Sequence, residues 1–130
     1  MERGAMRRVA GLGARADASL AALHEVLDMA QGNTPVDALA TLAQRADMPA
    51  MQELASDTGL PLIAIAPEAI AELVTPTQSP RILASFATGC VAEAVALAAL
   101  GTDAQITTPR QTSRDGTATA AIATLPRSHP

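Results

Sequence analysis

One aromatic side chain, Phe86, stands in a chain of 130 residues whose hydrophobic fraction is 48%. Much of that fraction is alanine, which buries little area per residue. The chain therefore cannot fill a core with bulky side chains. Its layers must approach closely, helix on sheet, to reach the density of an ordinary protein interior. The length fits a single domain and leaves no room for a second full core. The same scarcity excludes some functions. With no Trp or Tyr, the aromatic platforms that hold single-stranded nucleic acid are missing. A net charge of −4 supplies no basic field for nucleic acid or an anionic membrane.

Short apolar runs alternate with helical periodicity. Arg8–Leu12 reads as a buried strand, and Asp17–Ala30 as a helix with Leu20, Leu23 and Leu27 on one face and Asp17 in its first turn. Gly32-Asn33 closes that helix. Ala38–Leu42 reads as a second strand. Asp47 and Pro49 open a helix that Gly59 ends, and Leu60–Ile65 is a third strand. Pro67 opens a short helix through Leu73, Thr75–Pro80 is a polar loop, and Ile82–Phe86 is a further strand. Thr88 caps a helix from Gly89 to Leu100. Gln105–Thr108 and Ala118–Ala123 form a closing hairpin around a polar turn, Gln111–Gly116. This pattern predicts one α/β domain, a three-layer α/β/α sandwich on a mostly parallel, mixed sheet with a C-terminal hairpin. Residues 1–7 read as an N-terminal extension, 8–124 as the domain, and 125–130 as a flexible tail.

Three features could carry chemistry. The first is Gly11-Leu12-Gly13-Ala14-Arg15 at a strand-to-helix switch. Glycines there let a ligand approach the backbone, and a helix start favours an anion. A dinucleotide fingerprint needs a third glycine where Ala16 stands. It also needs an acid at the end of the second strand, whereas Asp37 precedes that strand. The readings left open are a tight turn and an anion site using Arg15. The second feature is the helix from Gly89, apolar on every face except at Glu93. Such a carboxylate needs a partner or a cleft. It is either a lock at a helix end or a group that orients a ligand or acts as a base. The third is Thr107-Thr108-Pro109-Arg110 with Thr117-Ala118-Thr119. These residues read either as strand-forming sequence beside a solvated loop or as hydroxyls and an arginine flanking a site. Gln44, Arg45 and Asp47 form a comparable polar turn.

All nine basic residues are arginine, whose forked donors suit carboxylates and phosphates. The absence of lysine excludes Schiff-base and P-loop lysine chemistry. The single cysteine, Cys90, forms no internal disulfide and no zinc cage, and reads as a small packing residue. No metal or cofactor is expected. No apolar run is long enough to span a membrane. The charged first eight residues are followed by no long apolar segment, so no signal peptide and a cytoplasmic location are expected.

In order and spacing these segments resemble the family of CobE proteins and the C-terminal domain of CbiG, from cobalamin biosynthesis. That family opens with a strand and Gly-x-Gly-Cys-Arg, matched by Gly11 to Arg15 with Ala14 in the cysteine place. Gly89-Cys90-Val91-Ala92-Glu93-Ala94-Val95-Ala96-Leu97 resembles its glycine-led helix block, which ends Val-x-Glu-Ala-x-Ala-Leu. Arg110 takes the place of its late lysine, and Thr119-Ala120-Ala121-Ile122-Ala123 matches its last strand. The resemblance covers Val9 to Ala123. It implies a step of corrin synthesis. CbiG is similar to a hydrolase that opens a precorrin lactone, and CobE to its C-terminal domain standing alone in the aerobic pathway. At this length the likeness is to CobE.

The expected ligand is a precorrin-type tetrapyrrole, a polycarboxylate on an apolar ring, and other pathway enzymes are expected partners. The candidate ligand-binding residues are Gly11, Gly13, Ala14, Arg15, Asp47, Thr88, Gly89, Cys90, Arg110 and Thr119, with Glu93 the candidate catalytic group. The alternatives are a precorrin lactone or C–C hydrolase, and an interaction module that docks on a pathway enzyme. Alanine-rich helices also suit a homodimer.

Overall fold

A computed structural model describes residues 7–70, 91–101 and 103–125. The elements run β1 (Arg8–Ala14), α1 (Leu20–Gln31), β2 (Ala38–Leu42), α2 (Ala43–Ala46), α3 (Pro49–Thr58), β3 (Leu62–Ile65), α4 (Pro67–Ile70), α5 (Val91–Leu100), β4 (Gln105–Thr112) and β5 (Ala118–Thr124). The predicted loop Thr75–Pro80, the strand Ile82–Phe86, and Thr88, Gly89 and Cys90 lie outside the described residues.

Among the described residues five strands form one sheet in the order β3-β2-β1-β5-β4. β1, β2 and β3 are parallel, with Gly11 beside Ala40 and Thr41 beside Ala64. β5 runs antiparallel to β1, with Gly11 opposite Ala121 and Gly13 opposite Thr119. The hairpin β4–β5 completes the sheet. Parallel crossovers are right-handed, and β1→β2→β3 steps in one direction, so α1 and α3 fall on the same face. There Leu23, Val26, Leu27, Met51 and Leu54 pack on Leu12, Leu39 and Ile122. On the other face Val9, Ala40, Leu42 and Ile65 meet Ile70 of α4 and Ala94 and Val95 of α5. The three-layer α/β/α architecture read from the sequence is the observed one.

The scarcity of large side chains is resolved at α5. A Cβ on Gly11 would run into the carbonyl oxygen of Ala92 and come within 2.9 Å of the Ala96 nitrogen. The helix backbone thus lies directly on β1. Gly11, Ala121 and Ala92 are all buried at this contact. Small residues bring backbones together and restore packing density without bulk.

Several boundaries differ from the sequence reading. α1 starts at Leu20, not at Asp17, because Ser19 caps it: its hydroxyl accepts the Ala22 N–H at 3.1 Å. Asp17 lies in the preceding turn, outside the first helical turn. The one-turn helix α2 was not expected. It turns the chain from β2 into α3, whose first residue is Pro49 and whose C-cap Gly59 has φ 71°. β4 continues past Pro109 to Thr112. It tolerates a proline because it lies at the sheet edge and is bulged there. Among the described residues no helix is long and apolar enough to cross a membrane.

Candidate functional site

The parallel strands β1, β2 and β3 end at Ala14, Leu42 and Ile65. In open α/β sheets the crevice beyond such carboxyl ends is the usual ligand position. β1 is central to it, with parallel β2 on one side and antiparallel β5 on the other. The turn after β1 is held from three directions. The Arg15 N–H donates to the Thr117 carbonyl oxygen at 2.8 Å. The Arg45 Nε–H donates to the Ala14 carbonyl oxygen at 2.8 Å. One residue pair back, the buried Thr41 hydroxyl donates to the Leu12 carbonyl oxygen at 2.9 Å.

Gly13 sits where β1 meets β5. A Cβ there would come 2.5 Å from Thr119 Oγ1 and 3.9 Å from the Ala92 nitrogen. Gly13, Thr119 and the first turn of α5 therefore form one corner.

Glu93 stands in that first turn and is completely buried. Its Oε2 accepts the Arg110 backbone N–H at 2.9 Å. The reason that amide is available lies in the β4 register. Thr108 pairs with Ile122 and Gln111 with Ala120, so Pro109 and Arg110 together oppose Ala121. A bulge of this kind leaves a residue out of the ladder and redirects it. The bulge turns the Arg110 amide toward α5, where Glu93 receives it. The carboxylate thus ties α5 to the edge strand. Among the described residues no buried side-chain polar atom lacks a hydrogen-bond partner.

Of the described candidate residues, Gly13, Thr119, Glu93 and the Arg110 amide meet at this corner, and Ala14 and Arg15 follow Gly13 in the chain. Gly13, Ala14 and Thr119 are half-buried, Arg15 is exposed, and Arg110 is half-buried above Glu93. Gly11 is buried beneath α5, so the close approach it permits is that of a helix. Asp47 is exposed at the end of α2 and makes no hydrogen bond to this group among the described residues. Arg45, read from the sequence as part of a polar turn and not among the candidate ligand-binding residues, joins the site from α2. Its signal in the sequence was an arginine three residues after a short, largely apolar strand. Among the described residues none of Arg15, Arg45 and Arg110 is in an ion pair; the ion pairs found are His24–Asp57 and Arg114–Glu25. No three His, Cys, Asp or Glu side chains among them come together as a metal site.

A family model described as Cobalamin synthesis G C-terminus matches residues 8–123. The chain is similar to CobE, described as a protein from the cobalamin (vitamin B12) biosynthetic pathway. The two share 26% identity over 95% of this chain and 94% of that one, with a TM-score of 0.80. It is also similar to the cobalamin biosynthesis protein chiG from Agrobacterium tumefaciens str. C58, at 32% identity over 92% of this chain and 99% of that one, with a TM-score of 0.68. A comparison with curated protein sequences finds no match. The family match runs from the first strand to the last, and the chain belongs to the cobalamin synthesis G C-terminus family and, with it, to cobalamin biosynthesis.

Proposed function

We propose that this domain binds a precorrin-type tetrapyrrole intermediate and serves the aerobic cobalamin pathway as an accessory protein. The observation that carries this reading is that the backbones of Arg15, directly after β1, and Arg110, bonded to Glu93, flank the Gly13–Thr119–α5 corner. Precorrins present several carboxylates around a large apolar ring. Guanidinium groups without internal ion pairs suit those acids. The space a Gly13 side chain would need is taken by the Thr119 hydroxyl, which sets a polar group at the corner. Glu93 supports binding over hydrolysis, since its Oε2 is engaged by a backbone amide and anchors the helix that floors the corner.

The test is titration of the purified chain with tetrapyrrole intermediates, followed by visible absorption and gel filtration. Binding shifts the spectrum and makes pigment co-elute with protein. Arg15→Gln and Arg110→Gln weaken the interaction by about tenfold each, the size of a lost charge-assisted hydrogen bond. No spectral change and no co-elution across the pathway intermediates would reject the reading. A stable complex with a pathway enzyme that is indifferent to both substitutions would favour docking.

A further inference from the structure

Arg45 is the arginine of this edge whose guanidinium the structure already orients. Its Nε–H donates to the Ala14 carbonyl oxygen at 2.8 Å. The corner that carries it is held by two further bonds: the Met48 N–H to the Arg45 carbonyl oxygen at 3.1 Å, and the Gln52 amide to the Ala46 carbonyl oxygen. The side chain is half-buried, and no ion pair involves it among the described residues. A guanidinium presents its donors as two forks, one along Nε and a terminal one formed by the two Nη groups. Engagement of Nε by a backbone carbonyl leaves the terminal fork, which matches a carboxylate bidentately. The immobilisation that usually opposes such a contact is already largely in place before a ligand arrives.

We propose that Arg45 is a carboxylate-binding residue, taking one acid arm of the ligand end-on through its two Nη groups at the mouth of the Gly13–Arg15 turn. This rests on the tetrapyrrole reading only for the identity of the acid. A lysine would substitute only in part, because a point charge cannot hold the Ala14 carbonyl and a bidentate acid together.

The test uses the full chain labelled with nitrogen-15 and two acids: tricarballylate, a simple tricarboxylate, and uroporphyrin, a tetrapyrrole bearing eight carboxylates. The Arg45 side-chain N–H resonances are expected to move saturably with at least one of them. Arg45→Met is expected to weaken uroporphyrin binding by about tenfold or more, and Arg45→Lys to restore only part of it. Should Arg45→Met fail to fold, the wild-type resonances decide the matter alone. Arg45 resonances unmoved by both acids overturn the proposal, as does a folded Arg45→Met that binds uroporphyrin like the wild type. Movement with tricarballylate but no uroporphyrin binding upholds Arg45 and rejects the tetrapyrrole. Uroporphyrin binding with Arg45 unmoved does the reverse.

Discussion

Gly11 shows how one missing side chain can hold a layer in place. The Ala92 carbonyl occupies the space that any Cβ at this position would need, and backbone cannot swing aside as a side-chain end can. Gly11→Ala should therefore push α5 off the sheet and destabilise the fold by roughly 1–3 kcal/mol or more, the scale of overpacking. Denaturant unfolding followed by far-UV circular dichroism measures it, since the chain has no Trp or Tyr to report by fluorescence. An unchanged midpoint would show that α5 does not rest on β1 in solution. Glu93 provides the second residue-scale expectation. Glu93→Ala strands the Arg110 amide that the bulge directs toward α5 and should lower stability by roughly 1–3 kcal/mol. Glu93→Gln keeps an acceptor oxygen and should lose less. If the two variants unfold at the same midpoint, the hydrogen bond contributes nothing. Glu93 was legible as the one polar residue on an apolar helix. Its partner was not, because a backbone amide leaves no trace in residue identity.

The β4–β5 hairpin shows local and long-range rules acting on one element. Its turn is made locally. The Asp115 carboxylate accepts the Thr117 hydroxyl at 2.7 Å, the Thr117 N–H at 3.0 Å and the Ser113 hydroxyl at 2.8 Å. These donors, led by the Thr117 hydroxyl, hold the Asp115 pKa below its ordinary value of 3.8. A carboxylate lowered in the folded state stabilises above its unfolded value, and the contribution fades as pH falls through the folded one. Asp115→Asn should therefore unfold earlier than wild type near neutral pH, and the gap should close in strong acid. Thermal unfolding of both proteins across the acid range tests this, and a gap that persists or widens there would contradict it. The strands were legible from their apolar runs, and the turn from its polar residues. The continuation of β4 beyond Pro109 was not, because a proline counts against a strand until the edge position and the bulge are known.

Across the described residues, β1 is the central strand of the sheet, with β2 and β5 beside it and a helical layer on both faces. Its amides, with those of β2 and β5, should exchange hydrogen most slowly, and those of β3 and β4 faster, because local opening frees the outer strands first. Amide exchange resolved by residue would show this; slowest exchange in β4 would contradict it. By itself the sequence determined the alternation of strands and helices. It also determined the need for close layers in a chain of alanine with one aromatic, and the glycine-marked turn after β1. Those are matters of local period, side-chain size and backbone freedom, all written in neighbouring residues. Only the tertiary structure decided that the last strand inserts beside the first. It alone turned the Arg110 amide toward Glu93 and brought Arg45 to the Ala14 carbonyl. Each of these joins residues far apart in the chain, through strand register and backbone groups that every residue carries alike. The Gly13 corner is therefore half visible in the sequence: its glycines and arginines are there to read, and their meeting is a property of the folded sheet.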